Sequence, residues 1–138
     1  MSLIPINCEA IHDYSLNSDE GPDKTIFKIG VLDSFVRAYI DDSHSTFKKD
    51  TESLFDDVGI HDKYLQFVRF GLKGWSNFKD SEGKDVPFEI TEIDVPRIGK
   101  RKVVSDESMK KLDLKWTIEI GLEVVSSNQL KELEAKKS

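Results

Sequence analysis

Cysteine is almost missing from this chain: Cys8 is the only one among 138 residues. No intramolecular disulfide can form, and a reducing compartment, the cytoplasm, is the expected setting. Long hydrophobic runs are missing too. No stretch approaches the roughly 20 consecutive apolar residues of a membrane span. The start, Met1-Ser-Leu-Ile-Pro-Ile-Asn7, has neither the basic beginning nor the sustained apolar core of a secretory leader. Membrane insertion and export are therefore not expected. Histidine is scarce: His12, His44 and His61 stand far apart, without the helical two-histidine spacing or cysteine partners of a strong metal site. Positive charge is the minority sign, with 20 Lys and Arg against 26 Asp and Glu, a formal net charge of -6. A polyanion is therefore disfavoured as the main partner, since neutralising phosphates needs concentrated cations. The local exception, Arg97, Lys100, Arg101 and Lys102, reads as a solvated loop rather than a nucleic-acid contact.

What is present is the balance of a soluble globular protein, 38% apolar and 33% charged. A chain of this length can bury a self-sufficient core, so residues 1–138 are expected to form a single domain. Four stretches organise it. Residues 1–30 read as an N-terminal β-hairpin, with strands at Cys8–Leu16 and Thr25–Ile29 and turn formers from Asn17 to Asp23 between them. Residues 31–80 read as helices. Leu32, Phe35, Val36, Tyr39 and Ile40 have helical spacing behind Asp33, in a helix ending near Asp41-Asp42, and residues 43–58 read as a polar connector. The main helix is expected from about Asp62 to Phe78, where Tyr64, Phe67, Val68, Gly71, Trp75 and Phe78 recur at spacings of three and four.

Residues 81–104 read as a turn followed by an extended segment. Gly83 is the expected left-handed residue of the turn, Val86–Ile90 the strand, and Pro87 and Pro96 hold residues 86–96 extended, with no further pairing assigned. Residues 105–138 carry two conflicting signals. Leu112, Leu114, Trp116, Ile118, Ile120, Leu122 and Val124 alternate in the period of a strand. Ser105-Asp-Glu-Ser-Met109 is a capping sequence, and Gln129–Lys137 is strongly helix-forming. Both readings stand; the segment is taken as helical from about 106 to 125, with a second short helix after Ser126-Ser127. The expected class is α+β, a mainly helical domain with an N-terminal hairpin and a short strand after the central helix.

Nothing in the pattern argues for catalysis. Asp41-Asp-Ser-His44 and Asp56–Asp62 set carboxylates beside imidazoles, but helix caps and loop acids account for them. Asp80-Ser-Glu-Gly-Lys-Asp85 resembles a calcium loop only superficially: its glycine comes too early, and no glutamate closes it. No phosphate loop or nucleophile elbow is present, and Cys8 has no recognisable base. No catalytic, cofactor-binding or metal-ligating residue is assigned. The main helix, by contrast, is apolar around much of its circumference. Phe70 and Leu72 lie off its aromatic line and are expected to serve a partner or oligomer surface, together with Gly71, Gly74 and Trp75. Each glycine costs about 1 kcal/mol relative to alanine inside a helix, which close approach by a second element would offset.

Phe67 to Phe88, FVRFGLKGWSNFKDSEGKDVPF, resembles the segment of the same pattern in tail assembly chaperones of long-tailed phages and prophages. More loosely, Leu3–Asn7 with Tyr14-Ser-Leu16 is similar to that family's opening, and Leu112-Asp-Leu114 with Glu119–Glu134 to its closing helix and tail. The closing stretch departs from the family in its β-branched Thr117, Ile118, Ile120, Val124 and Val125. The resemblance implies a non-enzymatic, cofactor-free protein of the host cytoplasm that is left out of the mature virion. It would bind the tape measure protein, keep it soluble and promote assembly of the tail tube protein around it, working as a homo-oligomer. The alternative is a structural component, such as a head–tail joining or tail-completion protein. A small enzyme or nucleic-acid-binding regulator is a third reading, with the basic cluster at 97–102 as its only support.

Overall fold

The computed structural model describes residues 7–50 and 53–137, with side chains described over 7–42 and 62–127. The N-terminal hairpin forms from β1 (Ile11–Tyr14) and β2 (Ile26–Gly30), antiparallel, with Tyr14 opposite Phe27 and His12 opposite Ile29. The connector holds its shape through the Asp19 carboxylate, which accepts the Thr25 amide at 2.9 Å. Phe27 and Ile29 are fully buried, while the other face of the sheet carries Lys28 and Asp13, paired at 2.6 Å. This is the period-2 division between core and solvent that a half-buried strand requires.

Asp33 caps the next helix as expected, its Oδ1 accepting the Val36 amide at 2.9 Å. Helix α1 (Ser34–Asp50) runs further than expected, and α2 (Ser53–Gly71) follows, so that helices occupy most of the stretch read as a connector. Within it, Thr51 and Glu52 lie outside the described residues, as do the side chains of Phe47, Leu54 and Phe55.

The main helix does not reach Phe78. It stops at Gly71, and the chain continues directly as β3 (Leu72–Ser76), which pairs antiparallel with β2 in the order β1-β2-β3. The register shifts between Lys28 and Ile29, leaving Lys73 as the extra residue of a bulge. Its aliphatic stem occupies the space where a Cβ on Gly30 would come within 2.8 Å.

A second sheet pairs β4 (Ile90–Val95) with β5 (Gly99–Val104). The expected strand at 86–90 thus begins only at its last residue, and the basic stretch read as a loop is largely a strand. Lys100 and Lys102 point to solvent, while Val103 and Val104 enter the core. Ser105 then caps the short helix α3 (Asp106–Met109), its Oγ accepting the Ser108 amide at 3.1 Å. The buried Ser108 hydroxyl accepts the Glu89 amide at 2.9 Å, tying α3 to the start of the β4–β5 hairpin. Arg69 in the last turn of α2 donates to Asp106 at 2.7 Å and holds its carboxyl below the usual carboxylate range.

The last element, α4 (Leu114–Lys137), is one continuous helix through Ser126-Ser127. Its buried stripe is Thr117, Ile120, Gly121 and Val124, at spacings of three, one and three. Leu114 and Leu122, members of the strand-like alternation, are among the exposed large apolar residues. The described part of the chain is therefore α+β, with five strands in two antiparallel sheets and four helices, and not the mainly helical domain expected.

One buried cluster draws on both sheets and on α1, α2 and α4. At its centre α2 and α4 come unusually close. A Cβ on Gly71 would stand 2.8 Å from both methyls of Val124, and one on Gly121 would stand 3.0 Å from Tyr64 Cβ and 3.1 Å from its carbonyl oxygen. The second element expected beside Gly71 is α4, but it approaches there with the Val124 side chain and not with its backbone. Gly74 is different: its nearest side-chain neighbour is Lys28 at 3.5 Å, an ordinary contact on the outer face of the sheet.

Candidate partner-binding groove

Helix α1 carries more apolar surface than one core face uses. Leu32, Val36 and Ile40, four residues apart, point inward and are buried. Phe35, Ala38, Tyr39 and Asp42 form a second stripe at i, i+3, i+4 and i+7. Facing that stripe is the β4–β5 turn, Pro96-Arg97-Ile98, and between them lies a groove of about 600 Å³ whose lining is mainly apolar. Phe35 is 67% exposed, the most exposed of the large hydrophobic residues described. The exposed ring and the apolar cleft beside it together make this face a candidate binding surface.

Both walls are braced from behind. The Tyr39 ring stands edge-on to Phe70, with centroids 6.3 Å apart, so the floor rests on the core. Arg101 donates from Nη1 to the carbonyls of Ile98 and Lys100, each at 3.0 Å, and its Nε lies 3.7 Å from Asp33 Oδ2 at the head of α1. One carboxylate therefore caps α1 and anchors the hairpin turn against it. Packing along its stem lowers the pKa of Lys73, and the negative charge of Asp33 pulls it partly back.

The turn itself is strained. Ile98 donates its amide to the Val95 carbonyl at 3.2 Å, which makes Val95–Ile98 a β-turn with Pro96 second and Arg97 third. Arg97 has φ 73°, the left-handed value that the third position of a type II turn requires and that glycine or asparagine normally supplies. Asn77, at φ 57°, is the other non-glycine residue described with positive φ. There the side chain explains the conformation: Nδ2 donates to the carbonyls of Asp23 and Lys24 at 2.9 and 3.2 Å.

The residues singled out from the sequence as a partner surface sit elsewhere. Phe70 and Leu72 are 4% and 2% exposed, and Gly71 is buried beneath Val124. Trp75 is half-buried in a box of rings, edge-on to Phe88, Phe78 and Phe27 at 4.9, 5.0 and 6.3 Å, and its Nε1 donates to the Val86 carbonyl at 2.8 Å. Only Gly74 lies on an outward face. Phe70 does contribute to the groove, but from underneath. No family model, curated protein or solved structure matches this chain. The groove's function has to be argued from its own residues.

Four titratable side chains, His12, Tyr14, Glu119 and Glu123, meet in a seam between β1 and α4. Tyr14 donates its hydroxyl to Glu119 Oε2 at 2.6 Å, and the Asn17 amide donates to the same oxygen at 2.7 Å. One turn further along α4, Glu123 meets His12 Nε2 at 2.8 Å. His44 and His61 have side chains outside the described residues. Among those described, no group of three or more histidine, cysteine or acidic side chains is placed to hold a metal ion, and no helix is long and apolar enough to cross a membrane.

The seam has a measurable consequence. Burial first, then the bond and charge of Glu119 and the charge of Glu123, raise the Tyr14 pKa above the ordinary phenol value of 10.0. A raised folded-state pKa contributes stability that is complete below the unfolded value and is lost as pH climbs from about 10 toward the folded value. The wild-type protein should therefore lose stability above about pH 10 more steeply than Tyr14→Phe, which has no phenol to ionise. At neutral pH the same substitution should destabilise by about 1–2 kcal/mol, as expected for a hydrogen bond to a carboxylate. Urea unfolding at stepped alkaline pH checks both; parallel alkaline limbs in the two proteins would remove the seam from the account.

Proposed function

We propose that this chain is a non-enzymatic assembly factor of the tail assembly chaperone type, which holds an apolar segment of the tape measure protein in the groove between α1 and the β4–β5 turn. The observation that carries this reading is Phe35, 67% exposed beside that groove. Its burial against a partner would contribute about 1–2 kcal/mol, most of the value for a fully transferred phenylalanine. One such contact is weak. Copies of the chain self-associating along a long partner would multiply it through avidity, the regime in which a chaperone binds firmly and still lets go when tube subunits arrive.

The family part of the reading rests on the resemblance of Phe67–Phe88, a segment whose main work here is to build the α2/α4 contact and the ring box. It thereby holds the groove floor in place through Phe70. The protein would act in the host cytoplasm and be absent from the finished particle.

Co-expression with a tape measure protein, the partner that the resemblance implies, tests this. The chain should co-purify with that protein and keep it soluble. Phe35→Asp should fold as well as the wild type, since the ring is exposed, yet lose the rescue. Equal rescue by Phe35→Asp would remove the groove from the mechanism. An insoluble partner, with this chain recovered in purified virions, would replace the chaperone by a structural component of the head–tail joint or tail end.

A further inference from the structure

We infer that the groove selects an amphipathic helix carrying a carboxylate, read by Arg97. The inference rests on the reading that the groove receives a partner segment, and it names what that segment must present. The α1 wall offers apolar contacts at i, i+3 and i+4 from Phe35, Ala38 and Tyr39, faced by Pro96 and Ile98 of the turn, and a helix with the same spacing on its apolar side packs against such a stripe.

The second half of the argument is charge. Arg97 lines the groove, is exposed, and makes no hydrogen bond or ion pair among the described residues. It also occupies a left-handed turn position that glycine would fill without strain. Asn77 offsets its similar strain with two bonds to backbone carbonyls; Arg97 has no such return inside the fold. A guanidinium kept at a strained position beside an apolar cleft is complementary to a carboxylate that arrives with the occupant.

The test uses two synthetic amphipathic helices that share the apolar spacing and differ only in having Glu or Lys at the end that meets the turn. Binding to the whole protein is followed by fluorescence anisotropy at low and moderate salt. The Glu peptide should bind about tenfold more tightly or better, with the margin shrinking as salt rises. Arg97→Glu should reverse the order.

Arg97→Gly should abolish the preference while leaving the melting temperature unchanged or higher, because the turn is relieved of its strain. Equal binding of the two peptides to the wild type would overturn the charge inference and leave the groove standing. Binding of neither would remove helix capture from the groove altogether. A lower melting temperature in Arg97→Gly would show a side chain that braces the turn, and would equally overturn the inference.

Discussion

Gly71→Ala is expected to destabilise the protein by about 2 kcal/mol, although alanine is the better helix former by roughly 1 kcal/mol. The sign is decided by Val124. The new methyl would lie 2.8 Å from both Val124 methyls, closer than carbon atoms pack, and a β-branched side chain in a helix has little rotamer freedom with which to withdraw. Relief must come from moving α4 away from α2, which loosens the cluster around Val68, Ile120 and Val124. Gly71 is also the last residue of α2, where the propensity gain is smallest. Val124→Ala alone should cost about 2 kcal/mol, from two lost methyls and part of a cavity. In the double variant the alanine at 71 enters the space that Val124 vacated. The loss should then fall short of the sum of the singles by about 1 kcal/mol or more. Urea unfolding of the four proteins completes the cycle; additive losses would mean that Gly71 does not pack against the Val124 side chain.

The parts of the fold legible in the sequence are those set by local chemistry. The Asn17–Asp23 connector, the Asp33 cap, the Ser105 cap and the left-handed Gly83, at φ 81°, depend on residues within a few positions of one another. In the Asp80–Asp85 turn, Asp80 Oδ1 collects the amides of Glu82 and Lys84 at 2.9 and 3.0 Å, all within four positions. The elements misread are those set by distant partners. Leu72–Ser76 continues the three-and-four spacing of α2, and only pairing with β2, more than forty positions earlier, makes it a strand. Gly99–Val104 looked like a solvated basic loop because its two core residues, Val103 and Val104, come last and its charged side chains fill the outward positions.

In α4 the alternation of large apolar residues was misleading because the buried stripe uses a threonine and a glycine. Thr117 is buried with its hydroxyl returned to the Asp113 carbonyl at 3.1 Å, and Gly121 is buried because Tyr64 leaves no room for a side chain. Neither looks like core to a pattern that counts large hydrophobes. The groove was out of reach for a similar reason: its walls are α1 and a turn more than fifty positions later. Two local signs were present. Phe35 and Tyr39 lie beside the Leu32–Val36–Ile40 stripe and give α1 two apolar faces, and Arg97 follows a proline where a type II turn favours glycine. In the Phe67–Phe88 segment, Phe70 and Leu72, expected on a partner surface, are buried, and Trp75 is half-buried among other rings.

Trp75→Ala should therefore act on stability and not on recognition, with a loss of about 3 kcal/mol, the low end for a buried aromatic because Trp75 is only half-buried. Its ring fastens the arm from Phe78 to Phe88 to the sheet. Phe78 and Phe88 stand edge-on to it at 5.0 and 4.9 Å, Phe78 reaches on to Trp116 of α4 at 6.2 Å, and the indole N–H holds the Val86 carbonyl. With the ring gone, the arm keeps its internal bonds, among them the Val86 amide to the Phe78 carbonyl at 2.7 Å, the Asp80 amide to the Lys84 carbonyl at 2.9 Å and the Lys79–Asp85 pair, but loses the attachment of Phe88 and Val86 to the sheet and keeps Phe78 against Phe27 at 6.0 Å. Trypsin cleavage at Lys79 or Lys84 should then be faster than in the wild type at the same fraction unfolded. Trp75→Phe separates the two contributions. It keeps a ring in the box, loses the bond to Val86, and should cost about 1 kcal/mol with the arm still protected. A partner-binding tryptophan would give the opposite pattern: near-normal stability and protease resistance, with binding lost in both variants. If Trp75→Ala unfolds at the wild-type urea midpoint, the box is not what holds the arm, and the surface role first read for Trp75 returns.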